Sequence, residues 1–115
     1  MIAHIAEFEA PTQVLETTGM EGFRDRVVPV LNAQPGFLGV LTLLNRDAGK
    51  LLGITLWDTE ENGRLAGARL EQERRTGAEQ MSADSPVPHL YDVIALTLDE
   101  HLPTSIIEAR ASSAS

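Results

Sequence analysis

The sequence predicts an α+β domain in the order strand, helix, strand, strand, helix, strand, with one four-stranded antiparallel sheet. Three observations carry that prediction. The stretch Pro35 to Trp57 reads as a turn followed by a hairpin: Pro35-Gly36, Phe37 to Leu44, the loop Asn45-Arg46-Asp47-Ala48-Gly49, then Lys50 to Trp57. Segments with helical periodicity flank it on both sides, over residues 12–34 and 58–82. An alternating run at the start and an apolar run near the end supply the outer strands.

At 115 residues the chain is one domain, long enough to bury a core without disulfide or metal support. It contains no cysteine, which excludes disulfides, thiolate nucleophiles and thiolate metal sites. The formal charge of −8 and the scattered basic residues, of which only Arg74 and Arg75 are adjacent, speak against a nucleic-acid partner. No apolar run approaches the ~18 residues of a membrane span, and Met1-Ile2-Ala3-His4-Ile5-Ala6 runs into Glu7 without the features of a signal peptide. The expectation is a cytoplasmic protein without membrane partners.

Residues 1–9 place Ile2, His4, Ala6 and Phe8 on one face of a strand that Pro11 closes. From Thr12 to Gln34, Met20, Phe23, Val27, Val30 and Leu31 recur at helical spacing. Gly19 and Gly22 weaken that helix, and Pro29 is expected to kink it. Pro35-Gly36 stops it, glycine supplying a left-handed conformation at little steric cost. Both hairpin strands are apolar at nearly every position, so both faces of the sheet are expected to be covered. Asp58 is expected to cap the second helix, with Glu61 completing a capping box, and the helix to run to about Ser82. One of its faces carries Gly63, Ala66, Gly67, Leu70, Arg74, Gly77, Ala78 and Met81, mostly small residues that either approach a sheet closely or leave room beside it. Ser85-Pro86-Val87-Pro88 is an extended connector. His89 to Leu98 is the last strand.

This order is the split βαβ, or ferredoxin-like, arrangement. Right-handed crossovers place both helices on the same face of the sheet. Four strands at ~4.8 Å spacing and roughly 20 Å length then leave about 400 Å² of the other face bare. At ~25 cal/mol/Å² two such faces stacked together contribute on the order of 20 kcal/mol. Association costs roughly 4–15 kcal/mol, so a second copy of the chain is the expected cover. The expectation is a homodimer packed sheet to sheet. Residues 1–98 form the domain, and the tail 99–115 docks on the partner subunit through Leu102, Ile106 and Ile107.

The run Phe23…Val27…Pro29…Leu31, then Pro35-Gly36-Phe37-Leu38-Gly39, then Gly49-Lys50-Leu51-Leu52-Gly53-Ile54-Thr55-Leu56-Trp57-Asp58-Thr59-Glu60-Glu61, resembles the antibiotic biosynthesis monooxygenase-like family of the dimeric α+β barrel superfamily. The similarity spans about residues 1–98. It implies two ferredoxin-like sheets packed into a dimeric α+β barrel, and it includes cofactor-free quinone-forming monooxygenases and haem-degrading enzymes. Those branches line their pocket with an asparagine on the first strand, where this chain offers His4. The haem-degrading branch ligates iron through a histidine on the second helix, and residues 59–82 contain none. No cofactor is therefore expected.

Each candidate site residue has a functional and a structural reading. His4 is either a proton shuttle for an ionisable phenol or enol, hence the catalytic candidate, or a satisfied core histidine. Trp57 is either an aromatic wall of a pocket between helices and sheet, or an anchor joining helix to strand. Arg74 either clamps a substrate enolate or carboxylate, or pairs with Asp92 or a helix-1 acid, or reaches solvent. Tyr91 either bonds a ligand oxygen or lies on an edge strand near solvent. No two histidines stand at metal-ligand spacing, and neither a hydrolase triad nor a phosphate loop is present. Two functional readings follow. One is a cofactor-independent monooxygenase-like protein binding a small aromatic or quinone-like molecule between helices and sheet. The other is a non-catalytic small-molecule-binding or stress-related accessory dimer.

Overall fold

The computed structural model of the chain describes residues 1–102. Strands β1 (Ile2–Glu9), β2 (Phe37–Asn45), β3 (Lys50–Trp57) and β4 (His89–Asp92) form one antiparallel sheet in the order β2-β3-β1-β4. This is the ferredoxin-like α+β arrangement. Helical residues 12–32 form α1, and the second crossover carries α2 (Glu60–Arg69) and α3 (Glu71–Gln80).

Helix α1 widens twice. The Met20 amide reaches back five residues to the Leu15 carbonyl, and the Val28 amide does the same to Phe23. The second wide turn stands directly before Pro29. A turn of five-residue spacing accommodates a residue that has no amide and whose ring crowds the preceding carbonyl. The proline thus sits in a locally expanded helix, and the chain continues to Asn32.

The turn at Pro35-Gly36 is tied to the start of α2. Gly36 has φ +78°, and a side chain there would collide with the Asp58 carboxylate and the Asn62 amide. Those two groups bond each other, Asn62 Nδ2 donating to Asp58 Oδ1 at 2.8 Å. Asp58 is therefore occupied and does not cap the helix as expected. Thr59 does, its hydroxyl accepting from the Asn62 amide at 3.1 Å.

The second helix is not one rod to Ser82. It breaks at Leu70, where φ −90° and ψ 0° interrupt the helical path without glycine or proline. The buried Leu70 side chain joins the core there. The last strand is also shorter than its residue pattern suggests. β4 pairs with β1 from His89↔Ile5 to Asp92↔Ile2, and the Val93 amide still reaches the Met1 carbonyl at 2.9 Å. Beyond that point β1 has ended, so residues 93–98 find no ladder, and Ile94 is 95% exposed.

The core lies between sheet and helices in two clusters. Ile2, Leu31, Trp57, Ala66 and Leu70 form one, and Leu15, Leu51 and Met81 the other. Among the described residues, no helix covers the opposite face of the sheet. Cross-strand register aligns Leu43 with Leu52, Leu41 with Ile54 and Ile5, and Leu56 with Ala3 and Tyr91 on that face. Leu41 and Tyr91 are more than half exposed. Of the tail residues expected to dock on a partner, Ile106 and Ile107 lie outside the described residues. No helix among the described residues is long and apolar enough to cross a membrane.

Candidate functional site

A cavity of about 100 Å³ opens between the helices and the sheet, separating the two core clusters. Its floor is strand backbone with small side chains: Ala6 on β1 stands opposite Gly53 on β3, which gives the floor its depth. His4, Thr55 and Thr42 add polar groups to the floor. Phe23 and Val27 from α1 and Met81 beyond α3 wall it with apolar surface. Arg26, Glu73 and Arg74 bring charge from the helices.

His4 lies on the inner face of β1, as the alternation of the first nine residues predicts, and is 8% exposed. Its ring rests against helix α2 at Gly67. A side chain at that glycine would place its Cβ 2.7 Å from His4 Nε2, so only glycine admits the imidazole here. Burial, then the nearby charge of Arg74, pushes the His4 pKa from 6.5 down to about 4, with its own backbone acting in the opposite sense. At neutral pH His4 is an uncharged imidazole, able to accept a proton but weakly basic.

Arg74 stands on α3 just after the break at Leu70. Its Nη2 donates to the Gly67 carbonyl at 2.9 Å. The expected pairing with Asp92 or a helix-1 acid is not what the side chain makes. Burial lowers its pKa and the charge of Glu71 opposes that shift, but a guanidinium remains a cation at neutral pH. Gly67 therefore joins the site twice, once by the side chain it lacks and once by its carbonyl. Arg26 is held separately, donating to Gln80 Oε1 at 3.1 Å.

Trp57 is 1% exposed and does not line the cavity. It packs in the first core cluster beside Phe37, ring centroids 5.4 Å apart. Its indole Nε1 donates to the Thr55 hydroxyl at 2.8 Å, and that hydroxyl donates to the His4 carbonyl at 3.4 Å. The tryptophan thus acts on the cavity through Thr55. Tyr91 lies on the helix-free face of the sheet, remote from the cavity. The structure brings His4 and Arg74 together and leaves Trp57 and Tyr91 outside. Thr55, Thr42, Glu73 and Arg26 escaped the sequence reading, although two threonines facing inward from strands of aliphatic residues are a visible signal.

The depressed pKa of His4 has a sign that can be measured. The unfolded chain takes up this proton near pH 6.5 and the folded chain only near 4, so stability is full above 6.5 and falls as pH drops towards 4. At ~1.4 kcal/mol per pH unit, denaturant unfolding should find about 2–3 kcal/mol less stability from this residue at pH 4.5 than at 7.5. The His4→Gln variant should lose that part of the pH dependence.

No protein-family model matches the sequence, and no curated protein sequence does. Solved structures do match. A monooxygenase of Streptomyces coelicolor, solved in complex with nanaomycin D, is 14% identical with a TM-score of 0.69, the match covering 86% of this chain and 92% of that one. SnoaB of Streptomyces nogalater, a cofactor-independent oxygenase, is 20% identical with a TM-score of 0.55, over 86% and 97% of the two chains. An antibiotic biosynthesis monooxygenase is 13% identical with a TM-score of 0.58, over 83% and 100%. Element order, sheet topology and these matches agree: the chain has the fold of the antibiotic biosynthesis monooxygenase-like proteins.

Proposed function

We propose that this protein is a cofactor-independent monooxygenase-like homodimer, each subunit taking a small aromatic or enolisable molecule into the cavity between helices and sheet. The single observation that carries the reading is the meeting of a buried neutral histidine and a guanidinium inside a largely apolar cavity. An acidic carbon or hydroxyl bound there gives its proton to His4 while Arg74 stabilises the anion left behind. So weak a base suits only acidic substrates. An activated CH₂ deprotonated in this way passes an electron to molecular oxygen, and the two radicals combine to a hydroperoxide. Loss of water then leaves a carbonyl: one oxygen atom enters the product, and the other departs with the two hydrogens of the oxidised carbon. The protein's part is orientation, exclusion of water and removal of the proton.

The likeness to solved oxygenases supports this chemistry, and the uncovered apolar sheet face supports the dimer. The oxygenase reading is tested by following oxygen uptake with a hydroquinone, a cyclic 1,3-dione and an anthrone, without added metal or flavin. Uptake that falls at least ~100-fold in His4→Ala supports His4 as the base. Absence of uptake across the panel removes the oxygenase reading. The small cavity volume then favours the second reading, a non-catalytic binding dimer.

A further inference from the structure

The volume and the charge of the cavity together restrict what it can take. Its interior of about 100 Å³ lies well below the ~300–1,000 Å³ of pockets that enclose drug-sized ligands. It is nearer the ~150 Å³ of an apolar cavity that holds one benzene ring. Charge narrows the choice further. The chain as a whole carries −8, yet the cavity lining brings two guanidiniums, Arg26 and Arg74, against the single carboxylate of Glu73. Arg26 is engaged with Gln80, whereas the Arg74 hydrogen bond goes to a neutral backbone carbonyl, and Glu71, whose charge acts on Arg74, lies outside the lining and is paired with Arg75. An acidic protein has thus placed one excess positive charge in its apolar interior, beside a histidine that adds none.

We propose that the cavity selects a one-ring, singly charged phenolate or enolate, and that Arg74 supplies the preference for the anion. The inference rests on the reading of this cavity as a small-molecule site, and it specifies the class of molecule. A second fused ring exceeds the interior of about 100 Å³ and would stand out of the cavity mouth. A neutral phenol forgoes the guanidinium, and a dianion brings one charge more than the lining balances. Thr55 and His4 line the floor opposite and meet the ring's polar edge.

The test uses the full chain and 4-nitrophenol, whose anion alone absorbs in the visible. Bound to the wild-type protein it should ionise at a pH at least one unit lower than in buffer, a tenfold preference for the anion. Arg74→Lys keeps the charge and should retain the shift; Arg74→Gln should abolish it. Near-ultraviolet circular dichroism of Trp57 establishes that each variant is folded, and the Lys variant carries the test should the Gln variant not fold: loss of the shift in folded Arg74→Lys overturns the role of the charge. A shift that persists in folded Arg74→Gln overturns it too. Failure of the wild type to bind 4-nitrophenol, or binding of 4-nitro-1-naphthol at least as tightly, overturns the one-ring assignment. These outcomes separate from the oxygenase reading. A bound nitrophenolate without oxygen uptake from any substrate of the panel leaves the anion site standing and removes the oxygenase. Oxygen uptake with a three-ring substrate and no nitrophenolate binding does the reverse.

Discussion

Trp57→Ala should cost ~3–5 kcal/mol of stability, the range for deleting a large buried aromatic side chain. The residue is among the largest fully buried side chains and belongs to the core cluster that joins sheet and helices. That cluster draws Ile2 from β1, Leu31 from α1, and Ala66 and Leu70 from the second crossover, and the Trp57 ring also meets Phe37 of β2. Helix α2 passes the indole at Gly63, where a Cβ would meet the Trp57 ring and Ile2 at 3.5 Å, an ordinary packing distance. The hole left by alanine is therefore bounded on several sides by separate elements and cannot collapse from one direction. Thermal or denaturant unfolding measures the loss. Trp57→Phe divides the effect. It keeps most of the packing and removes the hydrogen bond to Thr55, so its stability cost should be about 1 kcal/mol. Freed of that donor, the Thr55 hydroxyl on the cavity floor turns, and ligand affinity should change more than stability does. A Trp57→Phe protein with unaltered affinity would show that the indole acts on the core alone.

Ile54→Asp should convert the proposed dimer to single chains, with the fold weakened or lost. Ile54 stands near the middle of the helix-free face, between Leu41 on β2 and Ile5 on β1. With two sheets stacked, the substitution buries a carboxylate from each subunit against apolar side chains, with no cation in the surrounding register positions. Removing the compensation of a buried charge costs ~3–5 kcal/mol, and the cost falls twice in a symmetric assembly. Sedimentation equilibrium reads the result directly: twice 12.5 kDa for the wild type and 12.5 kDa for the variant. A wild-type mass of one chain in dilute buffer would overturn the dimer. The exposed Leu41 and Leu43 would then need another explanation.

Local signals were legible where the responsible residues are adjacent in the chain. β3 begins and ends where its pattern says, because the loop from Asn45 to Gly49 and the polar Asp58 mark both sides of an apolar run. The left-handed turn at Gly36 was legible for the same reason. The features that escaped depend on distant partners. Nothing around Leu70 breaks a helix, and the core, rather than a glycine or proline, accompanies the break. Residues 93–98 have all the composition of a strand, but β4 stops where β1 runs out, and that is a property of register. The site divides along the same line. His4 was visible as a polar residue on an apolar face, and Arg74 as a charge on a face of small residues. That Trp57 would turn its indole to Thr55 and leave the cavity wall to Phe23 and Val27 depends on which way α1 crosses the sheet.

The sheet is a partition one residue thick. His4 and Thr55 face the cavity, while their chain neighbours Ala3, Ile5, Ile54 and Leu56 face away from it. Whatever presses on the outer side chains therefore bears on the same peptide groups that hold the inner ones. Occupancy and self-association become linked equilibria. If joining a second subunit tightens the grip on a guest by some factor, the guest must favour joining by that same factor. Diluting the protein until its subunits part should then weaken its hold on a guest, and adding guest should draw the halves together at concentrations where they otherwise drift apart.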